Sequence, residues 1–125
     1  MKVTKVYVQT NSSFAEKITE WLQKKKIDVL TFSEKEDNAL KVIDGLVVFN
    51  ESKFLPKEID EMEKVAKNNQ KPTLNIDING TIMVAISNLD LWIERNRCKK
   101  IMIIGSNELV KNPSLDRFLQ ISSKS

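Results

Sequence analysis

Apolar positions along this chain follow two spacings in turn. Short β-branched or wholly apolar runs alternate with stretches in which apolar residues recur every three or four positions, the marks of strands and amphipathic helices respectively. Residues 3–9, with Val3, Thr4, Val6 and Val8, predict the first strand. Ser13 opens a helix, and Glu16 three positions on completes a capping box. Phe14, Ile18, Trp21 and Leu22 form one apolar stripe on that helix, which places Trp21 in a core rather than against a ligand.

Residues 27–32 read as a second short strand and residues 34–38 as a polar loop. Gly45 to Phe49 is an uninterrupted apolar run, as expected of a strand covered on both faces. Pro56 suits the first turn of the next helix. That helix carries Glu58, Asp60 and Glu61 early and Lys64 and Lys67 late, in the sense that suits a helix dipole. Ile59, Met62, Val65 and Ala66 make its expected buried stripe, and the chain restarts as a strand from Lys71-Pro72 through Ile78.

Residues 81–96 admit two readings. Asn79-Gly80 between β-branched runs is a hairpin signal, with residues 81–86 as the return strand. Ile82, Ala85, Ile86, Leu89, Trp92 and Ile93 instead fit one helical face, and the helix is the favoured reading. Residues 100–104 form a last buried strand, with Gly105 allowing a tight exit, and residues 113–121 form a closing helix with Leu115, Phe118 and Leu119 inward. The alternation implies a single α/β domain over residues 1–125. It is an open, doubly wound, Rossmann-like parallel sheet of about five strands with helices on both faces.

Composition changes this picture little. The 125 residues are 41% hydrophobic and 30% charged, ordinary values for one globular domain. No apolar run approaches the roughly 20 residues of a membrane span, and Met1 to Lys5 leads into a strand without a signal-peptide core, so the expectation is a cytoplasmic protein. The formal charge is +3, but acids and bases are interspersed. Lys24-Lys25-Lys26 closes a helix, where cations complement the dipole, and no aromatic or arginine-rich stripe accompanies it; nucleic acid is therefore a disfavoured partner.

Candidate chemistry is bounded by what the chain lacks. With no histidine, imidazole acid–base chemistry, histidine triads and histidine metal sites are out. The single cysteine, Cys98, excludes an intrachain disulfide and a cysteine metal cluster, so no metal site is expected. Arg97 and Lys99 beside it would lower its pKa, although a structural role is favoured just ahead of a buried strand.

In sheets of this kind ligands bind beyond the carboxyl ends of the strands, near the point where strand order reverses. Three segments are expected to converge there, between strands one, three and five. Gln9, Thr10, Asn11, Ser12 and Ser13 offer hydroxyls, amides and a helix N-terminus for a phosphate or carboxylate, or else form a plain N-cap turn. Neither a Rossmann nor a Walker glycine pattern is present. Asn50, Glu51, Ser52 and Lys53 follow strand three, and Glu51 would bind a sugar hydroxyl or act as a base unless it is a solvated loop residue. Gly105, Ser106, Asn107 and Glu108 follow strand five, and Asp77 reaches the same edge from strand four.

Several of these segments resemble one known family. Lys71-Pro72, Asn75-Ile76-Asp77-Ile78, Leu91-Trp92-Ile93 and Ile101-Met102-Ile103-Ile104-Gly105 follow the course KP…IDL…WI…AGPRE of the "putative molybdenum-cofactor carrier" family, within the SLOG group of lysine-decarboxylase-like and DprA-like domains. Glu108 and Pro113 fall near that family's downstream glutamate and proline, Gln9-Thr10 matches its GGQTG turn, and Asp44-Gly45 its DSDG element. The resemblance covers nearly the whole chain and implies a Rossmann-like fold with its cleft. The flanking glycines, the Cys-Pro-x-Gly-Arg segment and the Gly-Gly-Thr turn that would cradle a phosphorylated ligand are absent, and no particular cofactor follows.

Three functions stay open at this point. The first is a non-catalytic domain binding a nucleotide-like or other small anionic ligand. The second is an enzyme on N-glycosidic bonds, like the phosphoribohydrolases and deoxyribosyltransferases, with Glu51 or Glu108 as nucleophile or base. The third is an interaction module with a decayed site, a homo-oligomer built on the apolar excess of residues 81–96.

Overall fold

A computed structural model describes residues 3–10, 12–32, 39–52 and 55–123. Asn11, Lys53 and the expected loop at 34–38 lie outside the described residues. The chain runs through β1 (Lys5–Gln9), α1 (Ser13–Lys24), β2 (Asp28–Phe32), the one-turn α2 (Ala39–Val42), β3 (Gly45–Asn50), α3 (Lys57–Asn68), β4 (Thr73–Asp77), α4 (Ile82–Arg95) and β5 (Lys100–Gly105). A 3-10 turn (Asn107–Lys111) and α5 (Pro113–Ser123) complete it. All strand pairs are parallel, in the order β2-β1-β5-β3-β4. This is the expected Rossmann-like architecture, and residues 81–96 take the helical reading. The one-turn α2 and the 3-10 turn were not anticipated.

Strand alternation sends side chains to two layers. Val6, Val8, Val47, Phe49, Ile76, Ile101 and Ile103 pack under α1, α4 and α5. Leu46, Val48, Met102 and Ile104 face the other way, onto Ile59 and Ala66 of α3 and Ile43. The first layer is held by an aromatic chain: Phe49 lies 5.6 Å from Phe14 and 5.3 Å from Phe118, and Phe118 meets Trp21 edge-on. Such pairs contribute roughly 0.5–1.5 kcal/mol each beyond their buried area. Trp21 is buried as expected, and its indole N–H has no hydrogen-bond partner among the described residues. The Lys25 ammonium sits over its ring and donates to the Ser122 carbonyl, so this lysine ties α1 to α5.

Three local readings are corrected. The α1 N-cap is Ser12, not Ser13: the Ser12 Oγ accepts from the Ala15 N–H, which shifts the frame by one residue and leaves Glu16 outside a capping box. Pro56 precedes α3 as its N-cap instead of entering the first turn. On α3, Val65 is 42% exposed while Glu63 is 7% exposed and faces the sheet. Glu63 follows Ile59 at i+4 and precedes Ala66 at i+3, and its carboxylate is satisfied by Asn75 Nδ2 at 2.8 Å and Lys67 Nζ at 3.3 Å. A polar residue on β4 thus selects a polar residue on the helix above it, which apolar periodicity does not register.

Helices α1, α3 and α4 all stop in the same way. Lys26, Gln70 and Arg97 have φ of 60°, 59° and 52°. The next residue in each case donates back to the helix: Ile27 to Leu22, Lys71 to Ala66 and Cys98 to Ile93. These are Schellman closures, built without the usual glycine.

Candidate functional site

Beyond the carboxyl ends of the strands the chain builds two polar clusters. The first joins β1 to β5. Thr10 closes β1 against the edge strand, its N–H and Oγ1 both donating to the Phe32 carbonyl. Ser12 then donates from Oγ to Asn107 Oδ1 at 2.8 Å, and the same oxygen accepts the Phe14 N–H at 3.2 Å. An amide oxygen from the β5 loop therefore occupies the start of α1, where the helix offers unpaired N–H groups and a positive dipole end.

Beside this contact lies a groove of about 370 Å³ lined by Gln9, Thr10, Ser12, Thr19 and Thr31, with Glu16 and Glu20 as its charged groups. Val8 and Ala15 complete the lining. Its volume falls within the range of small-molecule sites. Among the described residues the lining contains no lysine or arginine. Glu16, Thr19, Glu20 and Thr31 were not read from the sequence as site residues; the first three lie on α1, and the parallel pairing of β1 with β2 sets Thr31 beside Val8.

The second cluster joins β3, β4 and the start of α5. Asn112 Nδ2 donates to Glu51 Oε1 at 3.1 Å and to Asn79 Oδ1 at 2.9 Å, while Asn112 Oδ1 accepts from the Ser114 N–H. Asn79 Nδ2 reaches the Ser52 Oγ, and Asp77 Oδ1 accepts the N–H groups of Ser52 and Asn79. Ser52 holds a φ of 53°. Asn50 is buried at the end of β3, and its carbonyl accepts from Ile78. Asp77 reaches this edge as the sequence reading expected. Asn79 and Asn112 were missed; Asn79-Gly80 read only as a hairpin signal, and nothing local to Asn112 points to a partner across the sheet.

Of the three segments expected to meet, the β1 and β5 segments are joined through Ser12 and Asn107, and the β3 segment is joined instead to β4 and Asn112. Ser13 starts α1 and is exposed. Ser106 caps the 3-10 turn, its Oγ accepting from the Glu108 N–H. Glu108 is exposed and pairs with Lys111 at 3.4 Å. Gly105 ends β5 two residues before the 3-10 turn and has no positive φ, so the exit does not draw on glycine's conformational freedom. A Cβ there would lie 2.7 Å from Phe14 Cζ and 3.0 Å from Leu109 Cδ1, so the position is glycine because an aromatic ring stands against it.

Two groups singled out from sequence lie at the opposite edge of the sheet. Asp44 Oδ2 accepts from the N–H groups of Lys99 and Lys100 at 2.9 and 3.0 Å, clamping the start of β3 to that of β5. Burial alone would raise its pKa, but those N–H groups and the charges of Lys100 and Lys71 outweigh it and hold the carboxyl below its ordinary value. Cys98 is buried beneath the same corner. Burial first, and the Asp44 charge second, push its thiol up to about 11, opposite to the lowering expected from Arg97 and Lys99. Among the described residues no three acidic or cysteine side chains gather in a metal-binding group, and no helix is long and apolar enough to cross a membrane.

No protein-family model matches the chain, and no curated protein matches it. A solved structure that does is that of a "Putative molybdenum carrier protein" from Syntrophus aciditrophicus SB. It superposes with a TM-score of 0.78 at 16% identity, over 98% of this chain and 94% of that one. The two share their fold from end to end, in agreement with the family resemblance drawn from the short motifs.

Proposed function

We propose that this chain is a non-catalytic small-molecule binder whose ligand lies in the groove at the carboxyl ends of β1 and β2. The observation that carries the reading is the groove itself, which has polar walls at the carboxyl ends of β1 and the edge strand β2. It lies on the side of the sheet where open α/β folds take their ligands, although away from the region between β1, β3 and β5 expected from the sequence. Its hydroxyls, the Gln9 amide and the two glutamates suit a ligand rich in O–H and N–H donors, such as the sugar and base of a nucleoside. A phosphate would sit poorly against Glu16 and Glu20, and it would reach the α1 amides only by displacing Asn107.

The glycosidic-bond reading has less support. Glu51 is tied to the Asn112 amide and Glu108 to Lys111, in separate places, so these two candidates do not face one reacting bond.

The test is thermal unfolding with nucleosides, nucleotides, ADP-ribose and pterins, repeated on Thr31→Trp, which fills the groove from an exposed position on β2. A ligand at about 100 times its Kd adds ~2.7 kcal/mol to the native state. The expected result is stabilisation by nucleosides that Thr31→Trp abolishes. Absence of any shift, or a shift that Thr31→Trp leaves intact, would overturn the assignment.

A further inference from the structure

Most hydroxyl protons of the β1–β2 groove are already committed to the protein itself. Thr10 Oγ1 donates to the Phe32 carbonyl at 2.9 Å and Thr19 Oγ1 to the Ala15 carbonyl at 2.8 Å. Ser12 Oγ donates to Asn107 Oδ1 at 2.8 Å and also accepts the Ala15 N–H. A hydroxyl has one proton to give. Three of the four hydroxyls that line the groove can therefore meet a ligand only as acceptors.

Glu16 and Glu20 extend the same bias. They stand four residues apart on α1, hence on one face of the helix, and both line the groove. Ionised carboxylates accept hydrogen bonds and donate none. Neither makes an ion pair among the described residues. Like charges at this spacing weaken a helix on their own, and a cation held between them removes the repulsion.

The neighbouring lysines do not supply that cation. Lys17 turns to α5, where it pairs with Asp116 at 2.7 Å. Lys24, one turn beyond Glu20, lines the separate groove between α1 and α5, which Glu20 also borders. Lys25 donates to the Ser122 carbonyl, and Lys111 on the 3-10 turn pairs with Glu108. The lysine of β1, Lys5, lies four residues before Gln9, about 13 Å down the strand.

From this inventory we propose that the groove selects a positively charged nucleoside, whose ammonium or amidinium N–H groups donate between Glu16 and Glu20, over the neutral nucleoside and its phosphate. The inference rests on the reading of this groove as the ligand site and adds the charge of the ligand to it. A cation with several N–H donors meets acceptors on both the threonine and the glutamate sides, whereas a phosphate meets two like charges. Both carboxylates are exposed, so the preference is graded and salt-sensitive rather than absolute.

The test compares four probes by isothermal titration calorimetry at low and at physiological ionic strength. Adenosine, 5′-amino-5′-deoxyadenosine and adenosine 5′-monophosphate share base and ribose and differ in charge at the 5′ position; 1-methyladenosine places the positive charge on the base instead. At least one of the two cations is expected to bind about three- to tenfold more tightly than adenosine, with the monophosphate weakest and the preference shrinking as salt is added. Glu16→Gln/Glu20→Gln, which keeps the shape and removes the charges, is expected to bring that cation and adenosine to the same affinity. Equal binding of adenosine and both cations, or a preference that the double variant keeps, overturns the charge selection and leaves the groove assignment standing. Binding by none of the four probes, or binding that Thr31→Trp leaves intact, overturns the groove assignment and this inference with it.

Discussion

Asn107 Oδ1 accepts the hydroxyl proton of Ser12 at 2.8 Å, across 95 residues of sequence, and with it the N–H of Phe14 in the first turn of α1. The loop after the last strand thereby caps the first helix, and an internal group occupies a position at which this topology commonly holds an anion.

Asn107→Ala leaves the Ser12 hydroxyl and the Phe14 N–H without this acceptor. Losing a capping acceptor costs about 1–2 kcal/mol, to be read from urea denaturation. The same variant is expected to gain stability from added inorganic phosphate where the wild-type chain gains none. Equal phosphate response in both would show that Asn107 does not guard the helix terminus.

Gly105→Ala pushes a methyl group into the Phe14 ring at 2.7 Å. Overpacking of this kind costs about 1–3 kcal/mol. Combining it with Phe14→Leu should cost less than the sum of the two single changes, since the clash disappears with the ring. Strict additivity in the measured unfolding free energies would place the strain elsewhere.

Gln70→Gly is expected to stabilise the protein, as are Lys26→Gly and Arg97→Gly. Each native residue holds a left-handed conformation that disfavours a Cβ. The gain is of the order of 0.5–1 kcal/mol each, net of the greater freedom of glycine in the unfolded chain. Thermal unfolding of the three single variants and the triple variant measures it.

Asp44→Asn removes the charge that the Lys99 and Lys100 amides hold. Because the native pKa lies below the unfolded one, the carboxylate contributes stability that is fully present above the ordinary aspartate value of about 4 and is lost as the pH falls through the lowered native value. The variant should therefore be less stable than wild type at pH 7, with the difference closing in acid. Asp44 is largely exposed, so solvent screening keeps the effect small. A gap that persists at low pH would assign the loss to geometry rather than charge.

The strands and the inward stripes of α1, α4 and α5 were legible because burial imposes periods of two and 3.6 that survive in one dimension. Helix ends were harder to read. With glycine at none of the three Schellman positions the sequence carries no glycine stop signal, and at Lys26, Gln70 and Arg97 the turn is held by the backbone N–H of the next residue. Glu63 was invisible as a buried residue for a related reason: its partner Asn75 is twelve positions away on another element.

Local chemistry and periodicity in the sequence alone determined a parallel α/β domain, a core made of Val, Ile and Phe positions, and the absence of histidine and cysteine-cluster chemistry. Tertiary structure decided which polar residues keep company at the sheet edge. Ser12 meets Asn107 because β1 and β5 are neighbours, and Glu51 meets Asn112 because α5 starts over β3 and β4. Hydrogen bonds between loops depend on strand order, and strand order is a property of how long-range pairs close, which no local pattern records.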